Sequence, residues 1–173
     1  MSENLTDRAR KIIGRAERIA RGRGAKAIDT HHLLLALVEQ GSGVGADVLG
    51  RLGIEPAAVV AAVDRLDPPR PQDVVPRAVG VVRMPLTAQS EAAVDLAGAA
   101  AAGLGHEAVG TEHLLLGLLA QGTGAAAAVL RALGVRADGV RQGLLGLDAG
   151  GAVRGPREGG AGPSGGPAGR FCP

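Results

Sequence analysis

The sequence contains no tryptophan or tyrosine, and its single phenylalanine, Phe171, lies next to the C-terminus. A core must therefore be built from Leu, Val, Ile and Ala, and there is no aromatic platform on which nucleic-acid bases could stack. Cysteine is as scarce. Cys172, alone, cannot close an internal disulfide, which fits a reducing compartment, and its distance in sequence from every histidine makes it a poor nucleophile. No apolar run approaches the ~20 residues that cross a bilayer, and the opening MSENLTDRARK passes from polar to basic without the apolar stretch of a signal peptide. The expected location is the cytoplasm, away from any membrane. Lysine occurs twice, as Lys11 and Lys26, neither preceded by glycine nor followed by Ser or Thr, so no phosphate-binding loop is written here. The histidines are His31, His32, His106 and His113, with no HExxH or cysteine cluster around them. They are expected to pack and hydrogen-bond near helix starts, holding neither metal nor cofactor, and no enzyme class finds a foothold.

What is present is written twice. Shifted by 81 positions, residues 5–66 lie on 86–147 without a gap, with 23 of 62 positions identical. The matches include Leu5-Thr6 with Leu86-Thr87, Gly22 and Gly24 with Gly103 and Gly105, Thr30 with Thr111, and the LLL runs that follow. Each copy is one supersecondary module.

Inside the module the punctuation is helical. Thr6 and Thr87 read as N-caps of helices of about 15 residues that close at Gly22/Gly24 and Gly103/Gly105. Thr30 and Thr111 read as caps of second helices ending near Gly41 and Gly122. Because LLLALV is apolar all round, the second helix is expected to be the buried one, with third and fourth helices at roughly 44–52 and 56–66 packed over it. The fold class is all-α: two tandem four-helix repeats, about eight helices. Repeat 1 runs over about 5–66, a linker over 67–85 with five of the ten prolines, and repeat 2 over about 86–148. VVPRAVGVV within the linker is read as extended loop, and 149–173, rich in Gly and Pro, as a disordered tail.

The net charge of +2 conceals an asymmetry. Residues 1–66 carry ten Lys/Arg against eight Asp/Glu, and residues 86–148 three against six. Most of the positive charge falls between Arg8 and Lys26. A solvated helix face is the plain reading. The alternative is an anion or nucleic-acid binder using Arg8, Arg10, Lys11, Arg15, Arg18, Arg21 and Arg23, although no DNA-reading motif accompanies them.

The double unit, with its TDRARK opening, its GTEHLLLGLLAQGTGAAAAVLRALGV stretch and the equivalent THHLLLALVEQGSGVGADVLGRLGI, resembles the Clp repeat domain over about residues 4–148. That domain is the N-terminal part of ATP-dependent unfoldases of the ClpC branch. The resemblance implies a pseudo-twofold, all-helical pair of repeats that recruits substrates and adaptors. A full unfoldase continues into two ATPase modules, whereas this sequence continues into the tail, so the expectation is a free-standing, non-enzymatic Clp N-domain protein. It would hold substrates or adaptors, or act as a decoy for ligands of the unfoldase's own N-domain.

In some members each repeat binds phosphoarginine, the glutamate of GTEH gripping the guanidinium while groups at the start of the repeat's first helix help with the phosphate. On that pattern Glu112 and Thr87 form the ligand site of the second repeat. His31 and Thr6 mark its degenerate equivalent in the first, since His31 cannot act as that anion. Glu112 also suits the first turn of a helix without any ligand, gaining ~0.3 to 1 kcal/mol from the helix dipole. The implied partners are arginine-phosphorylated or unfolded proteins, Clp adaptors, the Clp unfoldase itself, and cyclic-peptide antibiotics. For the antibiotics the family carries an aromatic residue where this sequence has Leu5 and Leu86, apolar but without a ring. Because residues 149–173 lack apolar mass, deleting them should leave the thermal midpoint within about 2 °C, as read by calorimetry.

Overall fold

Threonine and glycine divide each repeat into four helices. The computed structural model describes residues 4–69 and 83–148. The VVPRAVGVV stretch and the tail 149–173 lie outside the described residues. In repeat 1 the helices are α1 (Asp7–Gly22), α2 (Thr30–Gln40), α3 (Val44–Arg51) and α4 (Pro56–Leu66). In repeat 2 they are α5 (Ala88–Gly103), α6 (Thr111–Gln121), α7 (Ala125–Ala132) and α8 (Ala137–Asp148). Among the described residues extended pairing is limited to two isolated parallel bridges, Leu5 with Val109 and Ile28 with Leu86.

The first helix of each repeat is capped as its sequence suggests. Thr6 Oγ1 accepts the Ala9 N–H at 3.2 Å, and Thr87 Oγ1 accepts that of Ser90 at 3.2 Å. Both helices close just before a left-handed glycine, Gly24 at φ 70° and Gly105 at φ 71°.

The second helices start differently from the sequence expectation. Asp29 and Gly110 are the N-caps, and Thr30 and Thr111 are the first helical residues. Their hydroxyls are engaged across the repeat boundary: Thr30 Oγ1 accepts the Ala126 N–H of α7 at 3.2 Å, and Thr111 Oγ1 accepts the Gly45 N–H of α3 at 3.0 Å. Helices α3 and α7 begin at Gly43 and Gly124, which have no side chain to cap with, so each repeat borrows its cap from the other. The fit is close, since a Cβ built on Gly124 would stand 2.7 Å from Thr30 Oγ1.

Helices α2 and α6 are the buried pair, with Leu33, Leu34, Leu35, Leu114, Leu115 and Leu116 all in the core. Helix α1 covers α2, and α5 covers α6. The second pair meets at Gly117, where a Cβ would lie 2.8 Å from Ala97 N and would overlap Ala93 O, so only glycine allows this approach. Beyond these pairs the halves interlock: α3 packs on α6 and α8, and α7 on α2 and α4. One continuous core results. No single helix among the described residues is long and apolar enough to cross a membrane.

Leu34 and Leu115 are each 0% exposed at the centre of the buried pair. Leu→Ala at either position should cost ~2 to 5 kcal/mol through the cavity left behind, measured by denaturant melts.

Candidate functional site

The backbone that leads into α2 and α6 is held by the opposite repeat. The Thr6 N–H donates to Val109 O at 3.0 Å and the Val109 N–H to Asn4 O at 2.7 Å. Likewise the Thr87 N–H donates to Ile28 O at 3.0 Å and the Ile28 N–H to Pro85 O at 2.8 Å. The start of α1 thus lies against the segment entering α6, and the start of α5 against the segment entering α2. Sequence order groups Glu112 with Thr87 and His31 with Thr6; the hydrogen bonds tie Thr6 to the approach to Glu112, and Thr87 to the approach to His31. The basic first turn of α1, with Arg8 and Arg10, comes with Thr6. Leu5 and Leu86 are half-buried within the two bridges.

Two buried histidines close the helix starts from beneath. His113 Nδ1 accepts the Gly110 N–H at 2.8 Å, and His32 Nδ1 accepts the Asp29 N–H at 2.9 Å, the part a Glu or Gln plays in a capping box. An Nδ1 that accepts a backbone N–H leaves the neutral ring with its proton on Nε2. In repeat 2 that proton points to His106 Nδ1 at 2.9 Å, whereas His32 Nε2 is buried with no hydrogen-bond partner. Burial pushes His32 down from its usual 6.5 to about 4, with the neighbouring His31 acting in the same direction. His113 is lowered by burial as well, against the opposing pull of Glu112. One donor atom each from His31, His32 and Asp67 fall within 4.8 Å of one another, as do those of His106, Glu112 and His113. In each cluster the histidine that caps the helix start, His32 or His113, has its Nδ1 lone pair taken by the cap N–H and carries its proton on Nε2.

Above the histidines lie carboxylates. The Glu112 side chain, 15% exposed, folds back over Gly110. Its Oε2 accepts the Thr111 hydroxyl at 3.3 Å, and its Oε1 stands 3.6 Å from His113 Nδ1. A Cβ on Gly110 would lie 2.6 Å from Glu112 Cδ, so this pose of Glu112 depends on the glycine. In repeat 1 His31 takes the equivalent position with its ring buried. Its Nε2 donates to Asp67 Oδ2 at 3.1 Å, and its Nδ1, without a hydrogen-bond partner, lies 3.7 Å from Asp29 Oδ2. Asp29 Oδ1 accepts the Thr30 N–H at 2.6 Å and the Thr30 hydroxyl at 3.2 Å. Sequence reasoning passed over Asp29, Asp67 and His106. For Asp29 the signal was there: DTHH aligned on GTEH loses an acid at its third position and gains one at its first.

The basic face of α1 is largely neutralised within the chain. Arg10 pairs with Asp7, Arg15 with Glu39, Arg21 with Glu17 and Arg23 with Asp64. These are four of the seven cations that an anion-binding face would use.

The family model described as the Clp repeat (R) N-terminal domain matches the chain twice, at residues 4–81 and 85–164. The chain belongs to this family. The Clp repeat chain is 36% identical over 152 residues to the chaperone protein ClpB of Oceanobacillus iheyensis, covering 85% of this chain and 17% of that protein. It is 35% identical over 143 residues to the chloroplastic chaperone protein ClpC1 of Oryza sativa subsp. japonica, covering 82% and 15% respectively. The chain therefore spans about a sixth of the length of these relatives. Among solved structures, its fold resembles the N-terminal domain of ClpD from Arabidopsis thaliana, with TM-score 0.64 at 22% identity over 87% of this chain and 97% of that one. It also resembles the Hsp104 N-terminal domain from Candida albicans, with TM-score 0.67 at 19% identity over 87% and 95%.

The histidines make the domain acid-sensitive. Because folded His32 resists protonation, the unfolded chain binds more protons between about pH 6.5 and 4. Stability is fully present above that window and falls as pH drops through it. His32→Gln keeps an acceptor for the Asp29 N–H and should reduce the loss between pH 7 and pH 5 in urea melts; adding His113→Gln should remove most of the remainder.

Proposed function

We propose that this Clp repeat chain is a non-catalytic protein-binding module of a Clp chaperone-protease system, one that holds substrates or adaptors, or competes as a decoy for ligands of the unfoldase N-domain. Membership of the family supports the general kind of partner. Within it, we assign Glu112 the recognition of an arginine-phosphorylated protein. One observation carries this assignment: the Glu112 carboxylate is fixed at the start of α6 by the Thr111 hydroxyl while remaining partly exposed, 15% of its side chain reaching solvent. A carboxylate held in that way can accept a bidentate pair from a planar guanidinium. The phosphate would then meet the start of α1, where a helix N-terminus and the Arg8 side chain favour an anion. Thr6 belongs to this site through its bond to Val109, and Thr87 belongs to the other.

Calorimetric titration with phosphoarginine, and with an arginine-phosphorylated protein, tests the assignment. Glu112→Gln should weaken the second-repeat site by roughly tenfold to a hundredfold, the worth of a charged hydrogen-bond pair. Binding untouched by Glu112→Gln would remove Glu112 from the recognition. A serine-phosphorylated protein bound equally well would point to general anion binding by α1 instead.

A further inference from the structure

The first helices of the two repeats agree on their buried faces and differ on their outer ones. Ala9, Ile12, Ala16 and Ala20 of α1 are buried, as are the equivalent Ser90, Ala93, Ala97 and Ala101 of α5. On the outer side of α1 the row Arg8, Lys11, Arg15 and Arg18 follows the i, i+3, i+7, i+10 spacing that gathers side chains along one face of a helix. The same positions on α5 are Gln89, Ala92, Leu96 and Ala99, so a helix in this place needs no cation there in order to form. Arg8, Lys11 and Arg18 are exposed, and no acid pairs with them among the described residues. Arg15 is anchored instead, donating to Glu39 O at the end of α2 at 3.1 Å and standing 3.9 Å from the Glu39 carboxylate. That single hydrogen bond leaves its other N–H groups for a ligand.

Beside this row the surface is hollow. A cavity of about 530 Å³ is lined by Lys11, Gly14, Arg15 and Arg18 of α1 and by Gln40 and Ser42 at the end of α2. Gly14 keeps it open. Glycine inside a helix is less stable than alanine, and here neither backbone nor packing calls for it, since its φ is not left-handed and a Cβ would meet no atom within 4 Å. At the equivalent position α5 carries an acid, Asp95. We propose that this hollow is the docking site for an acidic segment of a partner protein, its carboxylates paired with Lys11, Arg15 and Arg18 and its backbone met by the Gln40 amide and the Ser42 hydroxyl. The proposal rests on the reading of the chain as a protein-binding module and is independent of the role given to Glu112. Lys11 and Arg18 are separated by about 10 Å of helix rise, the length of about three extended residues. The volume is that of a ligand pocket, more than one small anion would fill. A peptide suits it better than a nucleic acid, because the described residues include no Phe, Tyr or Trp on which a base could stack.

The test is fluorescence anisotropy on the full chain, with a labelled hexaglutamate peptide as probe. The wild type should bind it, more weakly at about 200 mM salt than at about 50 mM. Lys11→Gln combined with Arg18→Gln changes two exposed side chains and should weaken binding about tenfold or more. Gly14→Asp should do the same by placing the acid of α5 in the hollow, with a thermal melt confirming that the fold is intact. Arg51→Gln combined with Arg136→Gln removes the same charge from exposed positions elsewhere and should leave the affinity within about twofold. An equal loss in that control would overturn the proposal, because net charge alone would then account for the binding. A single-stranded oligonucleotide held more tightly than hexaglutamate by the same cations would overturn it in favour of nucleic acid. Failure of hexaglutamate to bind a chain that still binds phosphoarginine would overturn it as well and leave the assignment of Glu112 standing.

Discussion

The threonine at the head of each central helix is the residue on which the rest of the architecture turns. Its hydroxyl accepts an N–H from the first turn of a helix in the opposite repeat and donates its own proton to the carboxylate beside it. Helices α3 and α7 start at glycines and have no side-chain cap of their own, so without the borrowed hydroxyl their first N–H groups would be buried beside α6 and α2 unpaired. A buried donor left in that condition costs ~1 to 3 kcal/mol, which is enough to hold the halves in register. The same bond orients the acid. Because the hydroxyl oxygen is occupied by an N–H from across the boundary, its hydrogen is directed to Asp29 or Glu112, and the carboxylate is held in place.

Exchange between the halves recurs in the backbone and in the core. The approach to each central helix is paired with the chain that precedes the other repeat's first helix, and α3 and α7 pack on the central helix of the opposite half. The duplication is therefore one interlocked body with a pseudo-twofold relation, and each candidate site is assembled from both copies. The start of α1 lies against the segment entering α6, and the start of α5 against the segment entering α2.

Within this shared frame the two halves have diverged in charge. Helix α1 is basic outside, with four arginines tied to acids of the first repeat and its neighbours, while α5 is built largely of alanine and approaches α6 closely enough to demand Gly117. Arg23, which pairs with Asp64 and donates to Asp67 O at 2.7 Å, corresponds to Leu104, 42% exposed. The head of α2 consequently lies among more charged side chains, Asp29, Asp67 and Arg23, than the head of α6. The histidine beneath each site is the same residue for the same reason: an acceptor is needed at that turn for the N-cap N–H, and a buried neutral imidazole provides one.

By itself the sequence determined the helices, their lengths and their duplication, because caps, left-handed glycines and apolar periodicity act within a few residues of one another. It also placed Leu34 and Leu115 in the core, since a helix apolar on every side has no face to give to water. Thr30 and Thr111 were misread as caps of their own helices because the donors they serve lie 96 and 66 residues away. The acid of the first repeat was legible as a letter, Asp29, but not as a position in space. Which groups surround the carboxyls of residues 29 and 112 is not written in the residues beside them. That is decided by how the backbones, the threonine hydroxyls and the buried histidines meet in the folded molecule, and only the tertiary structure brings those groups together.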